Sequence, residues 1–271
     1  MYQKTLDLFA DLAASKVRAM RTNLAGFFIA SAMAGAYVGI GILLIFSIGQ
    51  TIDPSVRALA MGASFGVALT LVVFAGSELF TGHTMFMTVG LLRGTVGIGG
   101  LSASWIVTWI GNLAGSTLLA WLFYMGGGGQ ILKEGADLIF NVSAYKMHSS
   151  PEALVARGIL CNWLVCLAIW TSARTTSDAA KCVLIFWCLF AFIACGFEHS
   201  VANMTIFSVA LLGNHPASVT LDGMFYNLAW VTLGNAIAGA FFMAGAYWRV
   251  SGREEKSPAA PIAARLPAAA E

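Results

Sequence analysis

Gly196-Phe197-Glu198-His199-Ser200-Val201-Ala202-Asn203-Met204 sits inside an apolar run from about Ala179 to Leu212 that otherwise has the composition of a membrane span. A carboxylate and an imidazole side by side at the centre of such a run are costly. An acidic residue alone carries about 2.5–3.5 kcal/mol on the insertion scale. Ionisable groups at that depth face a protein interior or a water-filled path, so this stretch reads as the waist of a pore.

The rest of the chain has the same character. Of 271 residues, 58% are hydrophobic and only 10% charged, less than half of the roughly 25% charge of a soluble domain. The expected fold is therefore all-α and solvated by lipid. The net charge of +2 comes with no basic run carrying interleaved aromatics, which speaks against nucleic acid as a partner. Cys161, Cys166, Cys182, Cys188 and Cys195 all fall in apolar runs without zinc spacing and read as small hydrophobes.

Residues 1–22 lack the continuous apolar core of a secretory signal. Leu6, Phe9, Ala13, Val17 and Met20 share one helical face, which predicts an amphipathic helix lying in the cytoplasmic membrane interface. Residues 23–248 hold six expected spans. The first runs from about Leu24 to Ile48, with Gly35 and Gly39 forming a small face that lets another helix approach. The second, about Arg57 to Leu92, would be about 54 Å long as one helix against a hydrocarbon core of about 30 Å. It must be interrupted, and Gly76-Ser77-Glu78-Leu79-Phe80-Thr81-Gly82-His83-Thr84 is where. A third span, about Leu101 to Met125, precedes the longest polar loop. Ser150-Pro151-Glu152 then starts a fourth, with a capping serine, proline in the first turn and an acid near the positive helix end. The fifth breaks at Gly196 to Asn203, and a sixth runs from about Asp222 to Trp248. Residues 249–271, rich in proline and alanine, read as a disordered cytoplasmic tail.

An even number of spans puts both termini on one side. That side collects Lys4, Lys16, Arg18, Arg21, Arg93, Arg174, Lys181, Arg249, Arg253, Lys256 and Arg265, and the other only Arg57, Lys133, Lys146 and Arg157. Positive charge stays inside, so both ends are expected in the cytoplasm.

The two halves also rhyme. Gly76-Ser77-Glu78 matches Gly196-Phe197-Glu198 at an offset of 120, and Gly111-Asn112 matches Gly234-Asn235 at 123. Three spans per half means opposite insertion. Inverted repeats with broken spans in corresponding positions point to a permeation site near the bilayer midplane.

At these residues the chain resembles the formate/nitrite transporter family over nearly all of residues 20–250. The resemblance is carried by the stretch from Gly196 to Met204, by Leu79-Phe80-Thr81, and by Asn162-Trp163-Leu164-Val165-Cys166-Leu167-Ala168-Ile169-Trp170. Ser31-Ala32-Met33-Ala34-Gly35-Ala36-Tyr37-Val38-Gly39 and the second-span break, with Glu78 in place of an aspartate, look most like the nitrite channel branch. The resemblance implies an aquaporin-like protomer with its own pore, assembled as a homopentamer in the bacterial inner membrane. The resemblance also implies passage of nitrite and similar small monovalent anions, with no cofactor. It further implies constrictions at Phe65, Leu69, Leu79, Phe80 and Phe192, a central His199 contacted by Thr81 and Asn162, and a basic Lys146 at the outer mouth.

An anion entering a narrow apolar pore must replace its hydration or lose its charge. His199 can donate one hydrogen bond when neutral and two when protonated, or hand over a proton so that nitrous acid crosses. Protons are thus the candidate second cargo. Lys146 is expected to attract anions over distance. Glu78 and Glu198 are expected to be structural, accepting from backbone N–H groups freed at the breaks, with Asn203 beside them. His83 is expected to pack between spans. An enzyme is the less favoured class: Glu198 and His199 are adjacent and do not converge on a metal, and only His83 and His199 lie in spans. The competitors within transport are a formate channel and a proton-coupled nitrite exporter of the same fold.

Overall fold

The computed structural model describes residues 2–252, and every regular element among them is helical. Helix α1 (Gln3–Thr22) leads into α2 (Leu24–Thr51). The next apolar run is divided among α3 (Pro54–Ser64), α4 (Gly66–Ala75) and α5 (Phe80–Leu92). Then come α6 (Ile98–Met125), a short α7 (Leu138–Met147), α8 (Pro151–Ser172), α9 (Asp178–Ala194) and α10 (Ser200–Leu212). The last helical stretch is α11 (Leu221–Ile237), a π-helical stretch (Ala238–Gly245) and α12 (Ala246–Ser251). Five helical stretches, 24–51, 54–75, 98–125, 151–172 and 221–251, are long and apolar enough to cross a membrane, and α10 is a shorter apolar helix.

Local chemistry sets the boundaries. Asp53 starts α3 by accepting from the Ser55 N–H and hydroxyl, and these hydrogen bonds hold its carboxyl below the usual carboxylate range. Ser150 caps α8 ahead of Pro151, as the sequence predicts. Both interrupted runs stop at a glycine with positive φ, Gly76 at 76° and Gly196 at 70°, a conformation a side chain strains to adopt. The first gap is narrower than expected. Only Gly76 to Leu79 lies outside a helix, because Thr81, Gly82, His83 and Thr84 already belong to α5. The small face of α2 receives α6: a Cβ on Gly35 would collide with the Asn112 carbonyl, and one on Gly115 with the Ala32 carbonyl.

Two expectations are corrected. Helix α1 is amphipathic, but its apolar face is not given to the membrane interface. Leu6, Phe9, Ala13 and Val17 are buried in a protein cluster with Met85 and Val89 of α5, Trp170 of α8 and Met243 of the π-helical stretch. Polar ties fix it there: Thr95 donates to the Ala10 carbonyl, and Arg93 pairs with Gln3 and Asp7. The long polar loop after α6 is also not featureless, since α7 forms inside it and buries Ile139, Ser143 and Met147. The expected tail boundary at 249 falls within α12, and residues 253–271 lie outside the described residues.

Candidate functional site at the two helix breaks

Each break is held by the same set of bonds. At the first, the Glu78 N–H donates to the Ala30 carbonyl of α2. Asn112 of α6 reaches in with its amide: Nδ2 donates to Ser31 O at 2.7 Å and Glu78 O at 2.9 Å, and Oδ1 accepts from Phe80 N at 2.9 Å. At the second, Glu198 N donates to the Arg157 carbonyl of α8. Asn235 of α11 donates to Gly158 O at 2.8 Å and Glu198 O at 3.0 Å and accepts from Ser200 N at 2.9 Å. The groups orphaned where a helix stops are thus satisfied by a buried side-chain amide from the next crossing.

The glutamates do something other than expected. Neither carboxylate takes a backbone N–H, because the asparagines have filled those positions. Glu78 accepts from Lys16 of α1 and is bonded to His83 Nε2 at 2.8 Å, and His83 Nδ1 lies 2.6 Å from Ser104 Oγ. Glu198 Oε2 accepts from Lys146 of α7 and from Asn203 Nδ2, both at 2.7 Å, and Asn203 continues to Asn227 Oδ1 at 2.8 Å. The two chains correspond position by position. Glu78 and His83 lie 120 residues before Glu198 and Asn203, and Ser104 lies 123 before Asn227. Lys146 is no freely solvated loop lysine, since its side chain is 13% exposed against a Glu198 that is 1% exposed.

His199 occupies the N-cap of α10. Its Nδ1 accepts from Ala202 N at 3.0 Å, so the proton of the neutral ring sits on Nε2, which faces Thr81 Oγ1 at 3.1 Å. That bond joins the cap of α10 to the second residue of α5, so the positive ends of two half-helices meet there. The equivalent cap residue at the first break is Leu79, which carries no polar group. Asn162 does not touch His199 as expected. Its Nδ2 donates to Thr81 O, Thr84 Oγ1 and Asn235 O, so it braces the Thr81 turn from behind.

The imidazole lies in the walls of two cavities. One is tight, about 10 Å³, the space of a single water, bounded by Phe65, Leu69, Leu79, Leu189, Phe192 and Val38 as well as His199. The Phe65 and Phe192 rings meet edge to face at 5.5 Å, and Phe192 stacks on His199 at 6.0 Å. The other, about 190 Å³, is bounded by Lys146, Asn203, Phe197, Met61 and Ile42, with Phe192 and His199 at its floor. Four of the five expected constriction residues therefore come together. Phe80 does not. Leu79 is extended and Phe80 begins α5, so successive side chains diverge. Phe80 packs edge-on against Trp105 at 6.2 Å and faces an apolar groove between α6 and α11.

Sequence reasoning missed Lys16, Ser104 and Asn227 and gave no role to Asn112 and Asn235. The Gly-Asn repeat held a signal for the asparagines. Lys16 and Lys146 stand 130 residues apart, off the 120 and 123 offsets, so no common period reveals them.

The formate/nitrite transporter family model matches residues 4–249. The nitrite transporter NirC of Salmonella typhimurium is 50% identical over 262 residues, covering 97% of each chain. Among solved structures, an ion channel of the FNT family superposes with a TM-score of 0.90 at 50% identity, covering 92% of this chain and 99% of that one. A pentameric formate channel with formate bound superposes with a TM-score of 0.71 at 26% identity, covering 86% and 99%.

Proposed function

This chain belongs to the formate/nitrite transporter family, and on that premise we propose that it is a nitrite channel with one pore in each subunit of a homopentamer. The relative at 50% identity is a nitrite transporter and a probable formate transporter stands at 37%, which favours nitrite over formate. The solved relative described as pentameric supports the assembly. We read six crossings in two inverted halves, the second and fifth broken, and the paired bonds of Asn112 and Asn235 support that reading. Both termini lie in the cytoplasm of an inner-membrane protein by the excess of basic residues on their side.

The observation that carries the proposal is the position of His199 in the walls of both cavities. An anion leaving the wider cavity past Lys146 meets a ring of apolar side chains that offers nothing for its lost water. At that point the half-helix ends and the Nε2–H of His199 are the available compensation. A second proton on the ring would have to sit on Nδ1, where it would oppose the Ala202 N–H and break the cap of α10. The ring therefore acts as a neutral donor, with Thr81 keeping its own hydroxyl hydrogen for a further acceptor. Phe65, Leu69, Leu79 and Phe192 select by size.

Nitrite and formate entry into liposomes containing the full-length protein tests this, measured with and without an imposed proton gradient. Faster nitrite entry that stops at equilibrium is the expected result. Accumulation against the nitrite gradient would establish coupled transport instead, and faster formate entry would reverse the substrate assignment.

A further inference from the structure

Asn112 and Asn235 are both completely buried, and each spends both amide hydrogens and its carbonyl oxygen on backbone. Their bonds enclose a single residue. Asn235 holds the carbonyl of Glu198 and the N–H of Ser200, the peptide groups on either side of His199. Asn112 holds the carbonyl of Glu78 and the N–H of Phe80, the groups on either side of Leu79. In each case the remaining hydrogen goes to a different crossing, Gly158 of α8 or Ser31 of α2, so the enclosed residue is fixed relative to a neighbouring helix.

We propose that the two asparagines are positioning residues with separate effects on permeation: Asn235 sets the place of the histidine, and Asn112 sets the width at the leucine. A displacement of the Glu198 carbonyl or the Ser200 N–H moves the His199 Cα and carries Nε2 away from Thr81. The matching displacement at the first break moves a branched apolar side chain at the tight cavity and leaves every polar group near the anion in place. The same clamp thus serves selection by chemistry in one half and selection by size in the other. The inference rests on the reading of His199 as the anion's donor.

The test uses the full-length protein in liposomes, with Asn235→Asp and Asn112→Asp as matched variants. Aspartate keeps the shape and the acceptor but removes both donors. Nitrite entry is followed together with exclusion of a larger monovalent anion, lactate. Asn235→Asp is expected to lower nitrite entry about tenfold or more and to leave lactate excluded. Asn112→Asp is expected to keep nitrite entry near wild type and to admit more lactate relative to nitrite. On a His199→Ala background Asn235→Asp should add no further loss. Where aspartate prevents assembly, glutamine, which keeps donors and acceptor but displaces them, replaces it in the same comparison. Wild-type nitrite entry in the Asn235 variant, the same change in both variants, or an additive loss on the His199→Ala background would overturn the proposal. If wild type conducts neither nitrite nor formate, the functional reading fails and the clamps fail with it. If wild type conducts and only His199→Ala lowers nitrite entry, the clamp alone is wrong.

Discussion

The breaks at Gly76–Leu79 and Gly196–His199 are built to one plan and used differently. Both have a glycine at positive φ, a glutamate paired with a lysine from an accessory helix, and an asparagine spanning the gap. They part at the cap residue and along the polar chain behind the glutamate. The cap residue is Leu79 in one and His199 in the other, and the partner of the glutamate is His83 in one and Asn203 in the other. Holding a chain open in hydrocarbon is a backbone problem, and it has the same answer twice. Compensating a dehydrated anion is a side-chain problem, and in the function we propose one break addresses it alone.

The largest expected consequence concerns the ion pairs. Lys146 and Glu198 are 13% and 1% exposed, against 24% and 10% for Lys16 and Glu78. Glu198→Ala strands a lysine with little access to water and should cost about 3–5 kcal/mol. Glu78→Ala leaves a lysine that can turn outward and should cost less, about 1–2 kcal/mol. Thermal melting of the two purified variants measures the difference. Equal losses would mean that the two pairs are solvated alike.

His199→Leu makes the second break read like the first. The cap bond to Ala202 and the contact with Thr81 are both lost, while the Asn235 clamp stays. Removal of one preorganised donor at a site of charge costs about 10²-fold. Nitrite entry should fall by that order in liposomes, with the variant still assembled. Unchanged entry and selectivity would take the chemistry away from the imidazole.

Much of this plan was readable before the coordinates, because hydrocarbon makes the sequence explicit. Glu78, Glu198 and His199 stand out as groups that lipid will not accept, and the two overlong apolar runs require breaks. Readability ended where the decisive fact was long-range. Glu78 and Lys16 are 62 positions apart, and nothing near Lys16 distinguishes it from the exposed basic residues Arg18 and Arg21. The apolar stripe of α1 gave its amphipathic character but not whether lipid or α5 would cover it. Phe80 was misplaced because one step along the chain at a helix start turns a side chain from the cavity toward Trp105. The π-helical stretch at Ala238–Gly245 had no signal of its own. There a Cβ on Gly239 would collide with Thr84, a fit between crossings that composition does not encode.

The smallest expected effect, and the most discriminating, comes from His83→Asn, which gives the first break the relay of the second. Asparagine at 83 can still donate to Glu78 Oε2 and accept from Ser104, whereas Asn203 donates to both of its partners. What it loses is ring packing: Phe27 stands edge-on at 6.0 Å and Phe86 lies at 4.5 Å from the imidazole centroid. The cost should be about 1–2 kcal/mol, read as a modest fall in melting temperature. Nitrite entry should stay close to wild type, because the ring that faces the cavities is at 199 and not at 83. A fall in nitrite entry as large as that expected of His199→Leu would show that the buried relay beneath α1, and not the cap of α10, supplies the anion's donor, and the division of labour between the two breaks would have to be reversed.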